Sequence, residues 1–290
     1  MIFFLQQLAS GVASGGIYAS LALAFVMIYQ STHHINFAQG EMAMFSVFIA
    51  AVSIDAGVPY WGAFAIALGS AFLIGVVIQR VIVRPLTKAP VLAHVVLFVG
   101  LLVLFNGLAG LLFGHTTRTF QSPFSSDFIP RNRFVSAHEV GLVLVVLVML
   151  GLLYSFFRYT KLGLAMRAAA YNPDSSEYVG IRVGWMLALG WGLGGVFGTI
   201  SGIMVAPIVF LDPHMMAGVL VYGFAGALLG GINNPWGAAA GGFLVGIIDT
   251  LAGAYLFGTE LKLTVALVII VVVLLIKPSG LFGRPIIERV

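Results

Sequence analysis

The sequence predicts an all-α, polytopic bundle of transmembrane helices, and composition is the first reason. Of its 290 residues, 60% are hydrophobic and only 8% are charged, with a mean hydropathy of +1.08. A soluble domain has about a quarter of its residues charged, so most of the outer surface of this chain must face lipid. The second reason is that charge-free runs recur along the chain, and a crossing helix needs about 20 apolar residues.

These runs predict about eight or nine hydrophobic passes within one transmembrane domain over residues 1–290. The second and seventh runs are short, which leaves open whether they cross fully or form broken, re-entrant helices. The runs lie near residues 8–30, 37–54, 61–82, 91–113, 139–157, 184–206, 216–232, 236–256 and 261–276.

Small residues at helical spacing predict tightly packed seams between these helices. Every fourth residue from 190 to 206 is small, and small residues allow two helices to approach closely. A bundle packed in this way suits a transporter, although any tightly packed membrane protein could carry the same pattern. The series are Gly190, Gly194, Gly198, Gly202 and Ala206; Ala238, Gly242 and Gly246; and Gly11, Gly15 and Ala19.

The distribution of basic residues predicts which side of the membrane each connection faces, because cytoplasmic connections carry an excess of Lys and Arg. With nine passes, ten of the 14 basic residues fall on one side. The asymmetry predicts a cytoplasmic segment at 158–183, an external loop at 115–138 and an external N-terminus. The ten are Arg80, Arg84, Lys88, Arg158, Lys161, Arg167, Arg182, Lys277, Arg284 and Arg289; the other four are Arg118, Arg131, Arg133 and Lys262.

Apart from Glu139, the first residue of the fifth run, two acidic residues fall inside predicted passes. Glu41 follows Asn36, Gln39 and Gly40 in the stretch "INFAQGEM", and Asp249 lies in "LVGIIDTL". Acids at this depth usually face the interior of the bundle or a cavity. These five residues are therefore candidates for a translocation path, while an acid at a helix N-terminus also fits an ordinary structural role.

A weak internal similarity links two of the short runs. Residues 35–51 and 211–231 both begin with polar, helix-breaking residues and continue into a helix of small residues. Two such segments in corresponding positions are typical of a repeat built around a translocation path.

No pattern in the sequence indicates an enzyme. The chain has no Cys, no pair of His at helical spacing, and neither a Gly-x-Ser-x-Gly nor a His-Glu-x-x-His stretch. It also has no Gly-Lys dipeptide and hence no P-loop. We therefore expect no catalytic residue, no metal site and no cofactor in this chain, and no nucleic-acid partner, because the orientation in the membrane accounts for the basic residues.

The segment 160–181 is polar and helix-favouring although it lies within a hydrophobic chain. An Ala-rich stretch predicts a helix that ends at Asn172, since the residue before Pro173 avoids the α region. A second short helix then begins from Asn172, or from Asp174 as its cap. Such an element is either a docking surface or an amphipathic connector resting on lipid.

This segment, "TKLGLAMRAAAYNPDSSEYVGI", resembles the cytoplasmic motif of bacterial permeases of high-affinity branched-chain amino acid ABC importers, the LivH-type family. Three other stretches resemble that family: "INFAQGEM" at 35–42, "LLGGINNPWGAAAGGFLVGIIDTL" at 228–251 and "KPSGLFG" at 277–283. The chain departs from the family pattern at Gln39, Tyr171, Asp249 and Lys277. The residues that match in the cytoplasmic motif are Thr160, Gly163, Ala165, Met166, Arg167, Ala168, Asn172, Gly180 and Ile181.

The resemblance implies that the segment couples the chain to a cytoplasmic ABC ATPase pair, which would bind the ATP and Mg²⁺. It further implies a homologous second permease subunit, an external (periplasmic) solute-binding protein and a location in the bacterial inner membrane. Arg167 is the expected charge contact with the ATPase, and Gly163 and Ala165 would permit its close approach. The expected ATPase-coupling residues are Thr160, Gly163, Ala165, Arg167, Asn172, Gly180 and Ile181.

Three alternatives remain open from the sequence. A permease of the same type could carry urea or short amides. An ion-coupled carrier or channel would use Glu41 and Asp249 to bind the driving ion, and its uptake would be indifferent to ATP. A structural scaffold would show no solute flux.

Overall fold

A computed structural model describes residues 2–86, 89–124 and 136–283. The predictions made for Lys88, Arg131, Arg133, Arg284, Arg289 and the centre of the 115–138 loop fall outside these ranges. The helices are α1 Ile2–Thr32, α2 Gln39–Asp55, α3 Tyr60–Val77, α4 Val91–Phe113, α5 Ala137–Tyr159, α6 Lys161–Tyr171, α7 Pro173–Tyr178, α8 Val183–Val209, α9 Met215–Gly230, α10 Pro235–Ala252 and α11 Lys262–Ile276.

Each of the nine predicted hydrophobic passes coincides with one of these helices. Within the described ranges, six helical segments are long and apolar enough to cross a membrane, and α9 and α11 are shorter apolar helices. The second and seventh passes are short as predicted, because α2 has 17 residues and α9 has 16. The all-α class predicted from composition is therefore confirmed.

The described residues divide into two compact units. The first contains the described residues within 1–26, 122–152 and 218–290, and the second those within 27–121 and 153–217. The division cuts across α1, α5 and α9, and neither unit is continuous in sequence. Each unit is described by itself below.

In the second unit, α8 packs against α2 and α3, and these two helices also contact each other. Trp191 of α8 is fully buried beside Phe98. The series of small residues at every fourth position from Gly190 to Ala206 is called the α8 seam. Its glycines face the end of α1 and α2. An added Cβ would meet Ser31 at Gly190, Ile28 at Gly194, Gln39 at Gly198 and Val47 at Gly202.

In the first unit, the other two small-residue series pack on each other, forming what is called here the α1/α10 seam. A Cβ added at Gly246 would run into the backbone of Gly15, and one at Gly242 into the backbone of Ala19. Helix α9 also approaches α10 closely, since a Cβ at Gly226 would lie 2.6 Å from the Cα of Gly242. The seams predicted from spacing are confirmed, and the pairing of these two series is a finding of the structure.

The C-terminal stretch 277–283 lies against the turn between α9 and α10. Leu281 N donates to Leu229 O at 2.7 Å, and Phe282 N donates to Gly230 O at 3.1 Å. Gly231 requires a glycine, because its φ of +105° is rarely adopted by L side chains and a Cβ there would clash with the tail. Two sequence stretches more than 40 residues apart therefore form one contact.

Candidate coupling segment and intramembrane polar clusters

The segment 160–181 forms two capped helices, α6 and α7. Thr160 caps α6: its Oγ1 accepts a hydrogen bond from Gly163 N at 2.9 Å and donates one to Phe156 O at 2.6 Å. Asn172 caps α7 by accepting from Ser175 N at 2.9 Å, with Pro173 in the first turn. Of the two starts predicted for α7, Asn172 is therefore correct.

One face of this element is buried and the other is exposed. Met166 and Ala169 are fully buried, whereas Arg167 is exposed and the side chains of Tyr171 and Tyr178 are 87% and 91% exposed. The exposed residues are available to a partner, and the buried ones anchor the element to its own unit.

Gly163 belongs to the buried face. A Cβ at this position would lie 2.8 Å from the Cα of Phe157 and would also meet Phe156 O. Its small size therefore permits α6 to pack against the end of α5 within the chain. The family resemblance instead implies that Gly163 permits the close approach of the ATPase.

Of the other residues predicted in this segment, Ala165 lies within α6, and Gly180 and Ile181 lie at the C-terminal end of the segment. Ala165, Gly180 and Ile181 line a cavity of about 500 Å³ together with Lys161 and Trp185. Gly180 has a φ of +84°, which lets the chain reverse between α7 and α8. The seven predicted coupling residues thus comprise two helix caps, a buried glycine, three residues that line the cavity, and Arg167, which alone has an exposed charge.

A hydrogen bond connects this element to the segment that precedes α2. Nδ1 of His33 lies 3.0 Å from the carbonyl oxygen of Ala170, near the end of α6. His33 adopts a φ of 54° at the end of α1, a conformation that is uncommon for a residue with a side chain. No pattern in the sequence indicates this contact, because the two residues are 137 positions apart.

The residues around the start of α2 are buried. Asn36 Oδ1 accepts from Ala38 N at 3.0 Å, and Gln39 Nε2 donates to Gly194 O of the α8 seam at 2.8 Å. Gly40 follows in the first turn and is also buried. The polar residues predicted here therefore hold the start of α2 against α8.

Glu41 lies in a polar cluster whose other members are not among the translocation-path residues predicted from the sequence. The side chain of Asn106 in α4 is near enough to interact with the carboxyl group of Glu41. Asn106 Nδ2 also donates to Pro213 O at 2.7 Å and lies 3.0 Å from His214 Nδ1. Asp212 Oδ1 accepts from His214 N at 2.7 Å. A single Asn inside an otherwise apolar run could have indicated this cluster.

Asp249 lies in a separate cluster in the first unit. It is 1% exposed and lies near enough to Tyr18 to interact with its hydroxyl group, and the ring of Tyr18 stacks on Tyr222 at a centroid distance of 4.6 Å. Lys262 is near enough to interact with it electrostatically. The two intramembrane acids thus belong to different units and have different neighbours.

Comparisons of the sequence with known proteins identify the family of this chain. Residues 7–274 match the family described as the permease component of branched-chain amino acid transport systems. The chain belongs to this family of permease components. It is therefore a multi-pass membrane protein and a component of a transporter, and not a catalytic enzyme.

Relatives of the permease match it along its full length. The high-affinity branched-chain amino acid transport system permease protein LivH of Escherichia coli (strain K12) is 30% identical, with 100% of this chain and 98% of LivH covered. BraD of Pseudomonas aeruginosa, which carries the same description, is also 30% identical, over 99% of this chain and 98% of BraD. The solved structure titled PsaBC from Streptococcus pneumoniae in complex with Fab is 13% identical with a TM-score of 0.46, covering 95% of this chain and 91% of that one.

Proposed function

We propose that this permease forms half of the path for branched-chain amino acids in an ATP-driven ABC importer of the bacterial inner membrane. The other half would be a homologous permease subunit, and a periplasmic solute-binding protein would deliver the substrate. A pair of cytoplasmic ATPases would bind ATP and Mg²⁺. The family match over residues 7–274 supports the substrate class.

The single observation that carries the coupling role is the two-sided character of α6 and α7. Met166 and Ala169 are buried within the unit, while Arg167, Tyr171 and Tyr178 project outward. Tyr and Arg are enriched at the energetically dominant positions of protein interfaces. A short capped element with one buried face and one exposed face can be displaced as a rigid unit when a partner binds the exposed face.

The hydrogen bond between His33 and Ala170 gives that movement a route into the membrane. His33 is hydrogen-bonded to Ala170 near the end of α6, and the segment 33–38 leads from His33 directly into α2. Gln39 then holds the start of α2 to the α8 seam. Displacement of α6 would therefore act on the start of α2, where Asn36, Gln39 and Glu41 lie. Asp249, the remaining candidate for the translocation path, belongs to the other unit and is not on this route.

The transport proposal is tested by reconstituting the chain with its ATPases, second permease and binding protein in liposomes. We expect ATP-dependent uptake of labelled leucine, isoleucine and valine in preference to urea and short amides. Uptake by this chain alone, driven by an ion gradient and indifferent to ATP, would contradict the proposal.

The coupling role is tested by Arg167→Glu, with Arg167→Lys as the matched control. Charge reversal at an exposed position leaves folding nearly unchanged, within about 0.5 kcal/mol. It should reduce substrate-stimulated ATP hydrolysis and uptake by about tenfold or more, because losing a charged interface contact and placing a like charge there costs a few kcal/mol. Retention of both activities in the Glu variant, with the permease assembled normally, would contradict the role of Arg167.

A further inference from the structure

The polar cluster around Glu41 contains more hydrogen-bond acceptors than donors. The amide nitrogen of Asn106 has two hydrogens, and the Pro213 carbonyl at 2.7 Å and His214 Nδ1 at 3.0 Å, in the tautomer that accepts, take both. No hydrogen of this amide then remains for the nearby Glu41 carboxyl. The deficit is visible at Glu41 itself, whose Oε2 is buried with no hydrogen-bond partner.

The cluster also lacks a positive charge. Glu41 is only 2% exposed, and the Asp212 carboxylate is near enough to repel it electrostatically. Among the residues that the structure describes, neither acid has a basic side chain within 4 Å, whereas Asp55 at the other end of α2 is paired with Arg118 at 3.4 Å. An unpaired buried acid is costly, so the arrangement calls for a cation that can donate hydrogen bonds.

The position of the cluster fits a site that a ligand reaches. Glu41 is at its buried end, Asn106 and Asp212 are partly exposed, and His214 is exposed. The cluster also connects the starts of two short helices, α2 and α9. In the sequence, the starts of both helices lie in the two segments that show a weak internal similarity. Polar, irregular backbone at this depth is tolerated where it lines a cavity or is buried in protein.

We propose that the cluster of Glu41, Asn106, Asp212 and His214 is a subsite that binds the primary ammonium group of a substrate. This assignment rests on the proposed amino acid transport and names the part of the substrate that this half of the path recognises. An ammonium group has three hydrogens and one positive charge, and so supplies both of the missing features. A metal cation fits less well, because the described residues contain no group of three or more His, Asp or Glu arranged to hold one.

The subsite is tested by ligand-induced thermal stabilisation of the purified full-length permease in detergent, both alone and in the assembled transporter. The probes are leucine, leucinamide, which keeps the ammonium but not the carboxylate, and 4-methylpentanoate, which keeps only the carboxylate. Leucine and leucinamide should both raise the melting temperature, and 4-methylpentanoate should not. Equal stabilisation by 4-methylpentanoate, or stabilisation by sodium chloride alone at matched ionic strength, would overturn the assignment.

Variants assign the effect to the cluster. Glu41→Gln keeps the shape of the side chain and should weaken leucine and leucinamide binding by about 10- to 100-fold, since a hydrogen bond to a charged group contributes about 1.5–3 kcal/mol. Asp212→Asn should weaken binding less, because Asp212 is only partly buried. The matched control is Asp55→Asn, which makes the same change on α2 away from the cluster and should leave binding unaltered.

The outcomes separate the subsite from the proposed function. If the wild-type transporter takes up leucine and the Glu41→Gln variant binds and transports it equally well, the subsite is wrong and the transport proposal stands. If the wild-type transporter takes up no amino acid but the purified chain binds leucinamide in a Glu41-dependent way, the transport proposal fails and the ammonium subsite stands. A folded Glu41→Gln variant is recognised by a cooperative melting transition without ligand, at or above the wild-type temperature, because the change removes an unpaired buried acid.

Discussion

The α8 seam and the α1/α10 seam use the same small-residue spacing, yet they accommodate different neighbours. In the α8 seam, the absent Cβ atoms leave room for side chains such as Gln39 and Val47. In the α1/α10 seam they leave room for the backbone of the opposite helix, at Gly15 and Ala19. A side chain can rotate or be shortened, whereas a helix backbone can give way only if the whole helix shifts.

The comparison shows that spacing alone does not set the cost of filling a seam. The cost depends on whether the atom across the seam can move. The α8 seam should therefore tolerate change with local rearrangement, and the α1/α10 seam should not. This difference suits a permease in which the start of α2, held by Gln39 against α8, has to move during transport.

The largest effect is expected for Gly246→Ala in the α1/α10 seam. The new Cβ would overlap the N and Cα atoms of Gly15, which has no side chain to remove. We expect a destabilisation of about 3 kcal/mol or more, at or beyond the usual upper end for overpacking, together with poor yield of folded protein. The measurement is the melting temperature in detergent, combined with size-exclusion behaviour. A wild-type profile would show that the two helices can separate at little cost.

An intermediate effect is expected for Gly198→Ala in the α8 seam. Its Cβ would displace Gln39 and break the hydrogen bond from Gln39 Nε2 to Gly194 O. The expected cost is about 1–2 kcal/mol, for a strained rotamer and one lost buried hydrogen bond. In a double-mutant cycle, Gln39→Ala should recover part of this loss. Strictly additive effects would show that the two residues do not compete for the same space.

The smallest seam effect is expected for Gly202→Ala. Here the nearest atom is the Cγ2 of Val47, at 2.9 Å from the added Cβ, and it is the end of a side chain. We expect a cost of about 1 kcal/mol, and Val47→Ala should relieve it. Gly107→Ala is the control, because nothing lies within 4 Å of its Cβ position and it should shift the melting temperature little. A loss at Gly202 as large as that at Gly246 would remove the distinction between the seams.

Much of the fold follows from the sequence because lipid imposes a simple rule on it. Each hydrophobic run of the right length has to be a helix, since backbone groups in a bilayer must be hydrogen-bonded internally. The caps Thr160 and Asn172 are equally local features, and α6 and α7 begin where those residues predict. The long-range partners were not predictable in this way: a lone Asn in an apolar run makes Asn106 conspicuous but does not indicate Glu41 as its neighbour, and Tyr18 beside Asp249 lies in no recognisable pattern.

The sequence by itself determined the membrane class, the location of the apolar helices, the capped segment at 160–181 and the resemblance to a permease family. All of these depend on composition, on spacing within one helix or on motifs that are continuous in the chain. Only the tertiary structure decided which small-residue series face each other, that Gly163 packs inside the chain, and that Glu41 lacks a partner for one oxygen. Most of these contacts join residues tens to hundreds of positions apart, and even the contact of Gly163 with Phe157 joins two different helices. They depend on which helix packs beside which, a choice that many apolar faces satisfy equally well until the side chains interlock.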